Sequence, residues 1–439
     1  MTPNKVFKAL CVSAVLFISG QSVAEEEDDK GHPLAGMSLR SIGPALMSGR
    51  VSDFAFHPDQ WQQHYVAMAS GNLWKTENNG VTWKPVFDNE GSYAIGVVEL
   101  DPNNPNTVWV GTGENNSQRS VGYGDGVYKS TDGGKSWKNM GLKDSGHISM
   151  IRIHPADSDT VWVAAQGPLW NSGGDRGLYK TTDGGRKWER ILNIDEDTGV
   201  NEFVINPANP DEIVASSYQR RRHVWTLING GPGSGIHKTN DGGVTWRKIK
   251  SGVPGGDLGR IGLAMAPSKP NLLYAIIEAD DKGKGVYRST DFGESWEKRS
   301  GYMTTSPQYY NELIVDPNDP DVVYSMNTFT NRTEDGGKTW NRMSFESRHV
   351  DDHALWIDPD NSAHMFIGGD GGVYETWDRG DTWRHVTNLP VVQYYRATPD
   401  NDTPFYNVCG GTQDNSSQCG PSRTTYTDGI SNADWWFTQ

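Results

Sequence analysis

The sequence predicts an all-β protein, a β-propeller of seven to eight four-stranded blades. Three observations carry this. An octet, STDGGKSW at Ser130–Trp137, returns through the chain. A strand, proline turn and strand pattern recurs out of phase with it. No stretch sustains a 3.6-residue apolar period between helix caps.

The octet reappears at Thr181–Trp188, Thr239–Trp246, Ser289–Trp296, Thr333–Trp340 and Thr376–Trp383, with a weaker copy at Thr76–Trp83 that has Asn78 in the Asp place. The copies lie about 43 to 58 residues apart, the spacing of propeller blades. Each reads as a hairpin tip. The Asp carboxylate accepts from backbone N–H groups just ahead of it, and the glycines supply positive φ. The closing Trp starts the next strand and wedges between sheets. One active site does not need the same acid repeated around a ring. Asp132, Asp183, Asp241, Asp291, Asp335 and Asp378 are therefore assigned to structure.

The second pattern places its turn prolines at Pro58, Pro102, Pro155, Pro207, Pro267, Pro317 and Pro359. Alternating apolar residues around Asp, Asn and Pro describe a β-hairpin. A third strand then leads into the octet and a fourth follows it, which completes one blade. Residues 38–390 hold seven such blades. Residues 391–439 hold an eighth, with Pro399 in register but no octet. It is either an eighth blade of one ring or the first blade of a second propeller whose remainder is missing. Ser38–Ile42 is placed to supply a closing strand to the last blade.

Lys5 and Lys8 precede an apolar run, Ala9–Ile18, that ends in Ser22-Val23-Ala24. Residues 1–24 read as an export signal, too short for a stable anchor. Residues 25–37 read as an acidic disordered leader. The formal charge of −15 becomes about −17 once the two signal lysines are lost. Nucleic acid is excluded as a partner on that charge, and no membrane insertion is expected. The expected location is periplasmic or extracellular. Cys409 and Cys419 then remain, either paired in an oxidising compartment or as two free thiols.

Blade geometry puts the octet and the proline turn on one face, so ligands are expected on the other, near the axis. The long loops there are Gly113–Gly126, Gly167–Gly177, Tyr218–Gly235 and Gly410–Ser422. Candidate catalytic groups are Glu114, Asp352, His353, Asp370 and Asp414, because glycoside chemistry needs two carboxyl groups ~5 to 10 Å apart. Candidate ligand contacts are Arg119, Trp170, Arg221, Arg260, Tyr310, Asn311, His349 and Gln413. Arg220, Arg221 and Arg222 form a basic spot able to clamp a carboxylate or phosphate, or to bridge blades. His349, Asp351 and His353 are candidate metal ligands, against a polar network tying inner strands together. No cofactor is expected unless they hold a divalent metal.

The octets resemble Asp-box (BNR) repeats, which sialidases, sortilin-type receptors, photosystem-assembly propellers and two-propeller xyloglucan hydrolases share. SLRSIGPALMSGRVSDFAFHP, RHVDDHALWIDPD and PFYNVCGGTQDNSSQ resemble exported bacterial proteins with sortilin-like propellers, often labelled glycosyl hydrolases. No Arg-Ile-Pro precedes the octets, which departs from sialidases. The xyloglucan hydrolases place a catalytic Asp in the first blade, where this chain reads MASGNLW, Met68–Trp74; their second comes from the other propeller. The resemblance implies an exported binding propeller for glycan or peptide. The alternative is a polysaccharide-active glycoside hydrolase that needs a C-terminal propeller. A third reading is a metal-dependent hydrolase centred on His349–His353.

Overall fold

A computed structural model of the chain describes residues 40–43, 45–46 and 49–439; the expected export signal (1–24) and acidic leader (25–37) lie outside them. The protein is an all-β propeller. Eight antiparallel sheets follow one another in chain order. The first strands of seven of them are Val51–Phe56, Ile95–Leu100, Ile148–His154, Thr198–Ile205, Ile261–Met265, Leu313–Val315 and Asp352–Asp358. These seven stand around one axis and line a cavity of about 590 Å³.

The ring closes with seven blades. Val51, Val66 and Met68 of the first blade share a core with Ala354, Phe366 and Val373 of the seventh. Phe56 stacks on Trp356 across this seam, with ring centroids 3.8 Å apart. Each blade takes its strands from one contiguous stretch. Residues 40–43 form no strand, which corrects the expectation of a closing strand from Ser38–Ile42 over those residues. Side-chain packing at the seam does what strand exchange would otherwise do.

The octets pin the opposite face from the site. Asp132 accepts from the amides of Lys135 (3.0 Å) and Ser136 (2.9 Å) and from the hydroxyls of Ser130 (2.8 Å) and Ser136 (2.6 Å). Ser130 Oγ in turn accepts from the Gly134 amide at 2.9 Å. The Gly133 amide donates to Asn106 O at 2.8 Å, which ties the octet to the proline turn of its own blade. The fourth octet position needs positive φ, and it keeps it where glycine is absent: Asn79 (53°), Phe292 (52°) and Arg379 (60°). Trp188 Nε1 reaches back to Met140 O at 2.8 Å, so this Trp wedges against the preceding blade.

Carboxylates also join neighbouring inner strands. Asp53 accepts from the Val98 amide at 2.9 Å, and Glu202 from the Leu263 amide at 2.5 Å. Burial pushes the Asp53 carboxyl up to about 7, and raises Glu202, Glu312 and Glu99 in the same way.

The eighth sheet comprises Thr398–Pro399, Asn407–Gly411, Ser417–Pro421 and Trp436–Phe437. Its first strand is not among those that line the axial cavity. Cys409 faces Cys419 across the middle pair and forms a disulfide with it. The linker ahead of the sheet sends Val391 into the core at the seam between blades seven and one.

Candidate functional site

Arg50, His147, Asp197, Arg260, Glu312 and Asp351 each occupy the residue just before an inner strand. A chain that enters every inner strand from the same face sets these polar groups around the cavity rim. Loop 113–126 crosses the rim. Asn115 donates to Glu312 Oε1 (3.2 Å), and the Ser117 amide donates to Gln308 O (3.1 Å). Arg220 Nη1 holds the same loop from blade four, through Asn116 O (2.8 Å) and Ser117 Oγ (3.1 Å).

The centre of the site is Asp370, on the tight turn between the second and third strands of blade seven. Arg50 Nε donates to its Oδ1 at 2.6 Å and Nη2 to its Oδ2 at 3.3 Å. His353 Nε2 lies 3.2 Å from Oδ1, and the Tyr309 hydroxyl lies 3.3 Å from Oδ2. Burial works to raise the Asp370 carboxyl. The His353 hydrogen bond and the Arg50 charge outweigh it and hold Asp370 well below the usual carboxylate range. Arg50 also pairs with Glu114, whose Oε1 takes Asn116 Nδ2 at 2.6 Å and whose Oε2 takes the Gly122 amide at 3.2 Å. Glu114 is thus saturated and acts as a strut rather than an acid.

Asp414 behaves differently. It lies on the equivalent strand-two to strand-three turn of the eighth sheet, with φ of 55°, and its outer edge is open to solvent. Next to it, Asn415 Nδ2 donates to Asp370 O at 2.8 Å, and His349 Nε2 lies 3.0 Å from Asp414 O. Partial burial raises the Asp414 carboxyl. The Gln413 amide, donating at 2.6 Å, works against this, while Asp370, by charge and hydrogen bond, and the charge of Asp351 add to it. Three carboxylates therefore meet here, one fixed as an anion and one pushed toward its neutral form. The third, Asp351, accepts from the Tyr310 hydroxyl.

The other candidates separate. Asp352 is buried between Arg348 (2.6 Å) and Thr330 (2.6 Å), away from Asp370, and joins blades six and seven. Asn311 is fully buried and donates to Arg260 O (2.9 Å) and Ile276 O (3.3 Å); it ties strands instead of meeting a ligand. Arg260 is buried against Glu312 at 3.2 Å. His349, Asp351 and His353 do not converge as ligands, because each is spent on a different partner: Asp414 O, the Tyr310 hydroxyl and Asp370. Among the described residues no three His, Cys, Asp or Glu side chains are grouped to hold a metal ion. Arg119 and Trp170 stay on the rim at blades two and three, and Arg221 pairs with Ser172 and Asp197. Arg50 was not foreseen. The signal was available: it stands just before an inner strand, as Arg260 and Glu312 do.

No protein-family model matches the chain. A xyloglucanase from Paenibacillus sp. is 24% identical over 369 residues, which is 75% of this chain and 35% of that protein. A xyloglucanase from Acetivibrio thermocellus is 26% identical over 290 residues, 56% of this chain and 31% of that protein. The chain thus spans about a third of the length of these curated relatives. The crystal structure of the GH74 xyloglucanase from Xanthomonas campestris superposes with a TM-score of 0.60 at 15% identity, covering 84% of this chain and 59% of that one; the likeness is one of fold.

Proposed function

We propose that the protein is a polysaccharide-directed glycoside hydrolase, with Asp414 as general acid and Asp351 as the second carboxylate. One observation carries this: Asp414 is a solvent-open carboxyl with raised pKa, set against an ionised neighbour. An ionised neighbour that disfavours a second charge is how a site keeps a carboxyl group available as a general acid. Asp370 is too enclosed to reach a substrate. Its part is to keep a negative charge beside Asp414, which shifts Asp414 toward holding its proton to higher pH. The similarity to xyloglucanases supports this reading over a sortilin-like, Asp-box receptor for peptides. The aromatic side chains exposed on the eighth sheet (Trp436, Phe437) and on the connection between its first two strands (Phe405, Tyr406) support reading it as the first blade of a second ring. The Cys409–Cys419 disulfide fits an exported protein.

A second reading, glycan binding without cleavage, draws on the first blade. Its strand-two to strand-three turn carries Asn72, with φ of 65°, and no carboxylate. Reducing-sugar release from xyloglucan and a panel of other polysaccharides separates the two. The hydrolase reading expects release by the wild type and a loss on the order of 10²-fold or more in Asp414→Asn. Release that is absent throughout the panel, or unchanged in Asp414→Asn, overturns it.

A further inference from the structure

The face that carries the acids at blades seven and eight is not acidic throughout. At blades two to four it carries a cluster of arginines, Arg119 and Arg220 to Arg222, in a protein whose formal charge is −15. The second strand of blade four runs on past its own blade as Ile213–His223 and turns back as Thr226–Asn229. The register pairs Arg220 with Asn229, Arg221 with Ile228 and Arg222 with Leu227. Alternation along a strand puts Arg220 and Arg222 on one side and Arg221 on the other. Arg220 and Arg222 both reach loop 113–126. Arg220 is fully buried against Asn116 O and Ser117 Oγ, and Arg222 Nε donates to Ser117 O at 2.6 Å.

Carboxylates do not balance this group. Asp197 serves Arg221, at 3.5 Å. Arg119, Arg220 and Arg222 have no carboxylate within ion-pair distance among the described residues. The buried Nε–H groups of Arg220 and Arg221 lack an acceptor there as well. Unpaired guanidinium groups held close together are costly unless an anion joins them. At the end of the same hairpin Val224 and Trp225 are 82% and 81% exposed, and His223 stacks on Trp225 with centroids 5.3 Å apart. Trp170 and the exposed Tyr123 stand on the neighbouring loops. A flat aromatic face beside unpaired guanidinium groups matches a sugar ring that carries a negative charge: the ring stacks and the anion takes the fork.

We infer that this quadrant of the site face binds an anionic glycan, a chain whose sugars bear carboxylate or sulfate groups, with Arg119 and Arg222 taking the anions and Trp225 stacking on a ring. The inference rests on the polysaccharide reading above and names the chemical class of the chain. A neutral polysaccharide offers these guanidinium groups nothing they do not already get from water. An acidic chain bound here is oriented along the face, with its other end toward Asp414.

The full chain tests this by binding and by cleavage in the same preparations, using polygalacturonate for carboxylate, carrageenan for sulfate and xyloglucan as the neutral reference. Polygalacturonate or carrageenan is expected to bind about tenfold more tightly than xyloglucan at low salt, and to lose that advantage as ionic strength rises. Arg119→Gln with Arg222→Gln is expected to remove the preference for charge. Arg119→Gln alone, at an exposed position with no partner to lose, gives a partial loss without risk to folding. Trp225→Ala is expected to weaken all three polymers together. Binding to polygalacturonate alone, or to carrageenan alone, assigns the anion to carboxylate or to sulfate and supports the inference. Equal binding of xyloglucan and both charged polymers, or a preference that survives the double substitution, overturns it. Cleavage of xyloglucan with no preference for charge overturns it and leaves the hydrolase reading standing. No binding or cleavage of any polymer overturns both.

Discussion

The two faces of the ring use aspartate in opposite ways. On the octet face, Asp132, Asp241, Asp335 and Asp378 are held down to about 2. For Asp132, slight burial opposes the shift and the Ser136 hydroxyl and amide lead it; for Asp241 the Thr239 and Thr245 hydroxyls lead. Their partners are neutral, they are local in sequence, and the carboxylates face water. On the site face, Asp370 is held down by Arg50 and His353, which come from distant parts of the chain, and Asp414 is held up beside it. A carboxylate bound by its own turn only shapes the chain. One whose state depends on charges brought together by the fold can do chemistry.

The largest test of this contrast is Arg50→Met. It leaves Asp370 and Glu114 buried without their counter-charge, and a loss of about 3 to 5 kcal/mol is expected in chemical denaturation. A loss near zero would make the ion pairs ornamental and erase the difference between the faces. A smaller effect, read in activity, comes from Asp370→Asn. The charge of Asp370 raises Asp414, so its removal lowers Asp414. The alkaline limb of the rate profile should then move to lower pH, where Asp414 now gives up its proton. A limb that stays put shows that Asp414 is not the group that titrates. The smallest effect belongs to the octets. Their acids sit below the ordinary Asp value of 3.8 in the folded state, so the stability they add is present above that value and is lost as pH falls toward 2. Asp132→Asn combined with Asp335→Asn should unfold at slightly higher pH in an acid titration and release sugar at the wild-type rate. A fall in that rate would bring the octets back into the site.

The octets were legible because the side-chain bonds that set their turn lie within eight residues. Ser130, Asp132 and Gly134 make their bonds to one another, so the sequence alone carries the turn. Glu114, His353, Asp370 and Asp414 were legible as residues on the right loops, because strand order assigns the loops to a face. Their roles were not. Glu114 became a strut and Asp352 a joint between blades because of Arg50 and Arg348, and the Arg50–Asp370 pair is separated by 320 positions. That pair forms only if the ring closes between blades seven and one, and the repeats alone fit seven blades or eight. The place of Asn311 in a connection ahead of an inner strand says nothing about which neighbours enclose it, and here Arg260 O and Ile276 O take its amide.

The seam between blades seven and one has a mechanical consequence. The other junctions are crossed by the chain itself, whereas this one is bridged by Arg50 on Asp370, Phe56 on Trp356 and the core around Val51. The molecule is in that respect a split washer, and its gap lies beneath the carboxylates of the site. The linker that carries Val391 over the gap, and the eighth sheet that sets Asn415 on Asp370, work as a clasp. Because Asn415 and Asp414 are neighbours on one turn of the eighth sheet, whatever pulls on that sheet also pulls on the carboxylate it presents.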